Sequence, residues 1–183
     1  MKIALFVDRF PKISETFILN QIDGLIARGH EITIFPRKAG DETKSHGIVE
    51  SRRLIEKAYF PPNAAGKLWG KVGIYIRLAM LNLTHRKSVS RLKGTFDRYR
   101  DVGSRRQAFT MAEPVLRHGG RFDVLFAHFG PNGLRASWYR DAGLVRGALV
   151  TVFHGYDVSS YLHSHNEQMY DPLFRKGELF LPI

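Results

Sequence analysis

Lys2-Ile3-Ala4-Leu5-Phe6-Val7, running on through Asp8-Arg9-Phe10-Pro11-Lys12-Ile13-Ser14-Glu15-Thr16-Phe17-Ile18-Leu19-Asn20-Gln21, is the stretch whose reading decides the fold class. Lys2 to Val7 is almost wholly apolar, the pattern of a strand covered on both faces. Beyond it Ile18, Ile22, Leu25 and Ile26 fall on one face of a helix that Gly29 closes. A buried strand that turns directly into an amphipathic helix opens a doubly wound, mostly parallel α/β sheet with helices on both faces, in which ligands sit at the carboxyl ends of the strands. The connecting stretch from Asp8 to Gln21 is therefore a candidate site. Ser14 is expected to cap the helix while its neighbours offer backbone N–H groups to a ligand.

Working outward, the α/β rhythm repeats. His30 to Phe35 reads as a second strand ending at Pro36, followed by a polar loop from Arg37 to Gly47, and Arg52 to Phe60 holds a short helix and a short strand of indefinite bounds. A hydrophobic and basic region from about Gly66 to Arg106 interrupts the rhythm as an insertion. Gln107 to His118 is a helix containing Pro114 and ended by Gly119-Gly120. Phe122 to Phe129 is the next buried strand, with a helix from the Gly130-Pro131-Asn132-Gly133 turn to about Gly143. Ala148 to Phe153 is another strand, leading into His154-Gly155-Tyr156-Asp157, and Glu178 to Ile183 is a last one.

A chain of 183 residues is one domain, or one large half of a two-domain protein. It has no cysteine, which excludes a disulfide scaffold, a thiolate zinc site and a cysteine nucleophile, and which suits a reducing cytoplasm. The start lacks the pattern of a signal peptide, and no segment is apolar for the length of a membrane span. The expectation is a cytoplasmic protein, free or peripheral on the inner face of the cell membrane.

The net charge of +11 asks for an acidic partner. Arg86, Lys87, Arg91, Lys93, Arg98, Arg100, Arg105 and Arg106 stand against Asp97 and Asp101 alone, so more than half of the excess lies in this one stretch. Just before it, Leu68 to Leu83 is apolar, with Trp69, interrupted by Lys71 and Arg77. An apolar helix with an interfacial Trp and a basic flank is what lying on an anionic membrane requires, and Trp69, Lys71, Arg77, Arg86, Lys87, Arg91 and Lys93 are its candidate contacts. A core helix followed by a solvated basic loop is the plainer alternative. Nucleic acid is disfavoured, because only Phe96 and Tyr99 could stack and no recognition motif occurs.

If the strands are parallel, three polar clusters share one edge: Lys12, Ser14, Glu15 and Thr16 after the first strand, His128 at the end of another, and His154, Gly155 and Asp157 at the end of a third. Each has a plain structural reading: His128 as a cap on a neighbouring carbonyl, Gly155 as a turn residue, Asp157 as the N-cap of a following helix. A metal site is not expected, since the two histidines and Asp157 lack tight ligand spacing. A serine hydrolase is not expected either, since no Gly-x-Ser-x-Gly elbow exposes Ser14.

The segments Phe10-Pro11-Lys12-Ile13-Ser14-Glu15-Thr16-Phe17-Ile18 with Gln21, Ala127-His128-Phe129-Gly130, and Phe153-His154-Gly155-Tyr156-Asp157 resemble the amino-terminal half of bacterial GT-B glycosyltransferases. The likeness is to the retaining, family 4 type of exopolysaccharide and colanic-acid-like assembly, and it covers essentially the whole chain. It implies a Rossmann-like acceptor-binding domain, 1–183, facing a second domain that holds most of a nucleotide-sugar donor. The implied reaction moves a sugar to a glycan or lipid-diphosphate-linked acceptor with retention and without a bound metal or other cofactor. By the resemblance His128 lies beside the transferred sugar as the catalytic candidate. The loop with Lys12, Ser14, Glu15 and Thr16 lines the cleft, and His154, Gly155 and Asp157 wall the acceptor pocket. A carboxylate in the first turn opposes phosphate, so Glu15 is assigned to sugar hydroxyls. Two features depart from the pattern. Lys12-Ile13 stands where many relatives have Gly-Gly, and the two-glutamate donor motif of the second domain is not in the sequence. The expectation is therefore the acceptor half of a transferase, inactive or weakly active alone, with a non-catalytic carbohydrate- or phosphate-binding module as the alternative.

Overall fold

Five strands, β1 (Lys2–Phe10), β2 (Glu31–Ala39), β3 (Arg121–His128), β4 (Arg146–Phe153) and β5 (Leu179–Pro182), form one sheet in the order β2-β1-β3-β4-β5. Every neighbouring pair is parallel. The computed structural model describes residues 1–40, 47–62, 76, 79–80, 83–166 and 168–183, with Ile13 and Arg106 described by backbone alone.

Helices cover both faces. On one, α1 (Thr16–Ala27) buries Ile18, Leu19 and Ile22 against Ile3, Leu5, Val7, Ile32 and Ile34. Short α2 (Gly47–Ser51) adds Val49 to this layer, and the 3-10 turn Leu54–Lys57 adds Leu54. The other face carries α3 (Arg86–Thr95), the 3-10 stretch Phe96–Val102, α4 (Arg105–His118) and α5 (Gly130–Asp141), packed on Ala4, Phe6, Phe35, Leu125, Ala127 and Leu149. Alternate residues of β1 thus enter different cores, which is why the run from Ile3 to Val7 has no polar positions. Two short helices, α6 (Ser160–His163) and α7 (Asp171–Phe174), join β4 to β5. This is a Rossmann-like doubly wound α/β fold. The chain moves to one side of β1 to reach β2 and to the other side of β3 to reach β4, so the crevice lies between the carboxyl ends of β1 and β3.

Three elements differ from the sequence reading in extent. Strand β1 continues to Phe10, where the pattern gave a loop from Asp8, and β2 continues through Pro36 to Ala39. Proline is tolerated because β2 is the edge strand. Ile34 turns its carbonyl outward to the Tyr59 N–H (2.9 Å), so Pro36, two residues on, has its nitrogen side facing away from β1 as well. The short third strand expected before Phe60 is a single parallel bridge of Ala58 to Ile34. Helix α4 runs unbroken through Pro114, with the Ser104 hydroxyl accepting from the Gln107 N–H and Gly119 at its end.

From Arg86 onward the basic segment is built into the fold. Val89, Leu92, Phe96 and Tyr99 point inward at spacings of three or four residues. Phe96 meets Trp138 edge-on at 5.7 Å, the Trp138 indole donates to Thr95 Oγ1 (3.1 Å), and the Tyr99 hydroxyl donates to Asp141 (2.8 Å). The charged residues fall on the outer side, where Arg86, Lys87, Arg91 and Lys93 are exposed and none pairs with a carboxylate among the described residues. Trp69, Lys71 and Arg77 lie outside the described residues. No described helix is long and apolar enough to cross a membrane.

Candidate functional site

The loop after β1 reaches the carboxyl edge because Pro11 is tucked against Gly40. A Cβ on Gly40 would lie 1.6 Å from the Pro11 carbonyl oxygen, and the Gly40 N–H donates to the Phe10 carbonyl (2.9 Å). The chain then coils as a 3-10 turn, Ile13–Glu15, that runs directly into α1. Ser14 lies within this turn rather than at the helix entry. It is exposed and makes no capping bond, so the expected Ser14 cap is not formed. Glu15 holds the N-cap position without capping through its side chain. The residue is only 7 % exposed; Oε1 takes the Lys12 ammonium at 2.5 Å and Oε2 has no hydrogen-bond partner among the described residues. Thr16 is exposed at the start of α1.

At the end of β3, His128 projects onto the α1 face, as Val124 and Phe126 do. There it meets Gln21 from α1, with Nε2 2.6 Å from Gln21 Oε1, while Nδ1 lies 3.3 Å from His154 Nε2. Phe17, one turn before Gln21, packs over both imidazoles at centroid distances of 5.6 and 5.0 Å. Phe129 also packs against His154, at 4.3 Å. His128 is almost fully buried, His154 is half-buried, and Phe17 and Tyr156 are exposed at the rim.

Burial sets the charge state of the pair. Loss of solvent, reinforced by the neighbouring His154, lowers His128 to about 4. His154 is lowered too, because burial outweighs the attraction of Asp157 and Glu15. Both rings are therefore neutral near pH 7, and two cations at this separation would repel.

Asp157 does not cap the helix that follows it. Its carboxylate is 1 % exposed and turns back, Oδ2 accepting from the Gly130 N–H (2.5 Å) and Oδ1 from the His154 N–H (2.7 Å). The first donor belongs to the opening residue of α5, so a carboxylate of the chain fills the positive end of that helix. It ties the turn after β4 to the turn after β3. Between them Phe129 holds φ 70° and ψ 140°, a conformation that non-glycine residues rarely adopt. Gly155 is exposed with open space around its α-carbon, and its φ is not positive, so no steric or backbone demand requires glycine there.

Sequence reasoning placed Phe17 and Gln21 in the candidate stretch and in the matching motif but gave neither a role, although four-residue spacing puts them on one face of α1. Arg135 was missed because a charge in a helix normally reads as surface. It is fully buried in α5, and Nη2 donates to the carbonyls of Val7 (3.1 Å) and Phe35 (2.9 Å), clamping β1 to β2 just below the crevice. Asp8, paired with Arg37, supplies nearby negative charge; burial raises this carboxyl, but Arg37, Arg135 and Lys38 outweigh it and hold it below its ordinary value.

The crevice therefore joins residues from β1, β3 and β4: two neutral imidazoles, a buried carboxylate with a free oxygen, and exposed aromatic rings. Hydroxyl groups suit such a surface, since it offers acceptors of the right kind beside apolar ring faces. Among the described residues no three His, Asp or Glu side chains are grouped to hold a metal ion.

No protein-family model matches the chain, and no solved structure matches it. All of the chain aligns with the putative colanic acid biosynthesis glycosyltransferase WcaL of Salmonella typhimurium (37 % identity) and with its namesake in Escherichia coli K12 (34 %). It aligns equally completely with the amylovoran biosynthesis glycosyltransferase AmsK of Erwinia amylovora at 30 % identity. In each case the chain spans 45 % of the relative's length. Along its whole length, then, the chain is similar to glycosyltransferases of bacterial colanic acid and amylovoran biosynthesis, and it spans somewhat less than half of their length.

Proposed function

We propose that the chain is the amino-terminal, acceptor-binding half of a retaining, GT-B type family 4 glycosyltransferase. The reaction passes a sugar from a nucleotide-sugar to a glycan or lipid-diphosphate-linked acceptor in polysaccharide assembly. The observation that carries this reading is the free Oε2 of Glu15, buried in the loop after β1 at the carboxyl edge of the sheet. A buried carboxylate oxygen without a donor is costly, and a sugar hydroxyl would satisfy it. Lys12 neutralises the other oxygen, so Glu15 binds hydroxyls without repelling a nearby diphosphate as strongly as a free carboxylate would. The donor-binding motif belongs to the remaining length of such proteins, and the 183-residue chain alone is expected to bind acceptor and to transfer weakly or not at all.

The test is sugar transfer by the full-length enzyme with Glu15→Gln, which keeps the shape but weakens hydroxyl recognition. Transfer should fall at least about tenfold through a loss made up of one charge-assisted hydrogen bond. Wild-type transfer rates in this variant would remove Glu15 from the site.

The unpaired cations of α3 support a second element of the proposal, contact with an anionic membrane that carries the lipid-linked acceptor. Arg86, Lys87, Arg91 and Lys93 should drive co-sedimentation with phosphatidylglycerol vesicles, each contributing about 1 kcal/mol near the surface. Replacing all four by Gln should abolish binding at low salt, and wild-type binding should weaken as salt is raised. Binding that ignored both changes would remove the membrane from the proposal.

A further inference from the structure

The hydrogen bonds around His128 determine where the protons sit. The Gln21 amide oxygen is an acceptor and nothing else, so the His128 nitrogen 2.6 Å from it, Nε2, carries the proton. Because the ring is neutral, its Nδ1 holds an unshared pair. That pair faces His154 Nε2 at 3.3 Å, and the contact is a hydrogen bond only if His154 Nε2 is also protonated. By exclusion the Nδ1 of the neutral His154 has the free pair, and among the described residues nothing donates to it. Phe17 and Phe129 pack against this ring at 5.0 and 4.3 Å, and the contact of its Nε2 with His128 orients it. His154 is the more exposed imidazole, whereas His128 is buried with both nitrogens engaged.

We propose that Gln21 is a positioning residue which, through the chain Gln21–His128–His154, holds both imidazoles as Nε2–H tautomers and leaves His154 Nδ1 as the acceptor offered to a ligand hydroxyl. The ligand's identity as a sugar rests on the function proposed above; the tautomers do not. In this arrangement His128 acts from behind His154.

The test is a long-range ¹H–¹⁵N correlation spectrum of the histidine rings in the 183-residue chain at pH 7.5, with His128→Asn and His154→Asn assigning the signals. Both rings should show a protonated Nε2 and an unprotonated Nδ1. Gln21→Leu, close in shape but without an acceptor, should release His128 into a mixed or Nδ1–H form and disturb His154 with it, and Gln21→Glu should keep the wild-type pattern. An Nδ1–H form of either ring in the wild type, or unchanged tautomers in Gln21→Leu, overturns the proposal. In the full-length enzyme Gln21→Leu should lower kcat about tenfold, the range typical of residues that orient a working imidazole, with KM for the donor little changed and Gln21→Glu largely restoring the rate. Absence of transfer in the wild type would count against the transferase reading, and the spectrum would still decide the tautomers.

Discussion

His128 makes stability depend on pH in a direction its surroundings fix. Its imidazole titrates near 6.5 when exposed and at about 4 when folded, so the unfolded chain takes up the proton first. The stability this residue contributes is complete above about pH 6.5 and is lost progressively as the pH falls towards 4. A shift of this size corresponds to about 3 kcal/mol over the full window. Urea titrations at pH 7.5 and pH 5 should therefore show a smaller gap between wild type and His128→Asn at the lower pH. A gap that does not change with pH would mean that the ring is not buried as a neutral group. Asp157 is the other residue with a large expected effect. Asp157→Ala strands the Gly130 and His154 N–H groups and should cost about 3 kcal/mol in urea unfolding, the sum expected for two hydrogen bonds to a buried carboxylate. A loss under about 1 kcal/mol would show that water replaces it.

Element α5 owes its place to glycine. A Cβ on Gly130 would stand 2.5 Å from the Tyr170 ring and 2.6 Å from that of Phe153, so the helix can start against β4 only with a bare α-carbon there. Gly130→Ala should destabilise by about 2 kcal/mol through overpacking, and it should also displace the N–H that Asp157 holds. Thermal unfolding checks this, and an unchanged midpoint would mean that Tyr170 swings away at no cost. Helix α3 behaves differently, since its inward face is set by Val89 and Leu92 while its outward cations pair with no carboxylate among the described residues, Arg91 lying against Gly143. Substituting those cations should therefore leave the unfolding midpoint within about 0.5 kcal/mol of wild type, separating any effect on vesicle binding from an effect on folding.

Across the whole molecule the two cores meet through β1 and β3, which like β4 have a neighbour on each side but which alone of the three send side chains into both cores. Amide exchange should accordingly be slowest at Leu5 and Phe6 in β1 and at Leu125 and Ala127 in β3, and faster in the edge strands β2 and β5. Fastest exchange in β1 would contradict the central position of that strand. Apolar runs, helical periodicity and turn glycines were local signals, and they carried the strand–helix order, the parallel sheet and the convergence of His128 and His154 on one edge. Strand ends were less legible. Pro36 reads as a terminus until its place at the sheet edge is known, and Asp8 reads as a loop residue until Arg37 is set beside it. The basic stretch from Arg86 looked like an added segment because its charges outnumber the four inward residues that fasten it to the core. By itself, then, the sequence determined the fold class, the edge on which the candidate residues converge and the similarity to exopolysaccharide-biosynthesis glycosyltransferases, since each follows from short-range pattern. Tertiary structure alone decided that Gln21 meets His128 across 107 positions, that Asp157 turns back onto α5, and that Arg135 is buried beneath the crevice. Those are pairings of polar groups across long separations, and whether a polar side chain finds a partner or finds water depends on what the fold brings beside it.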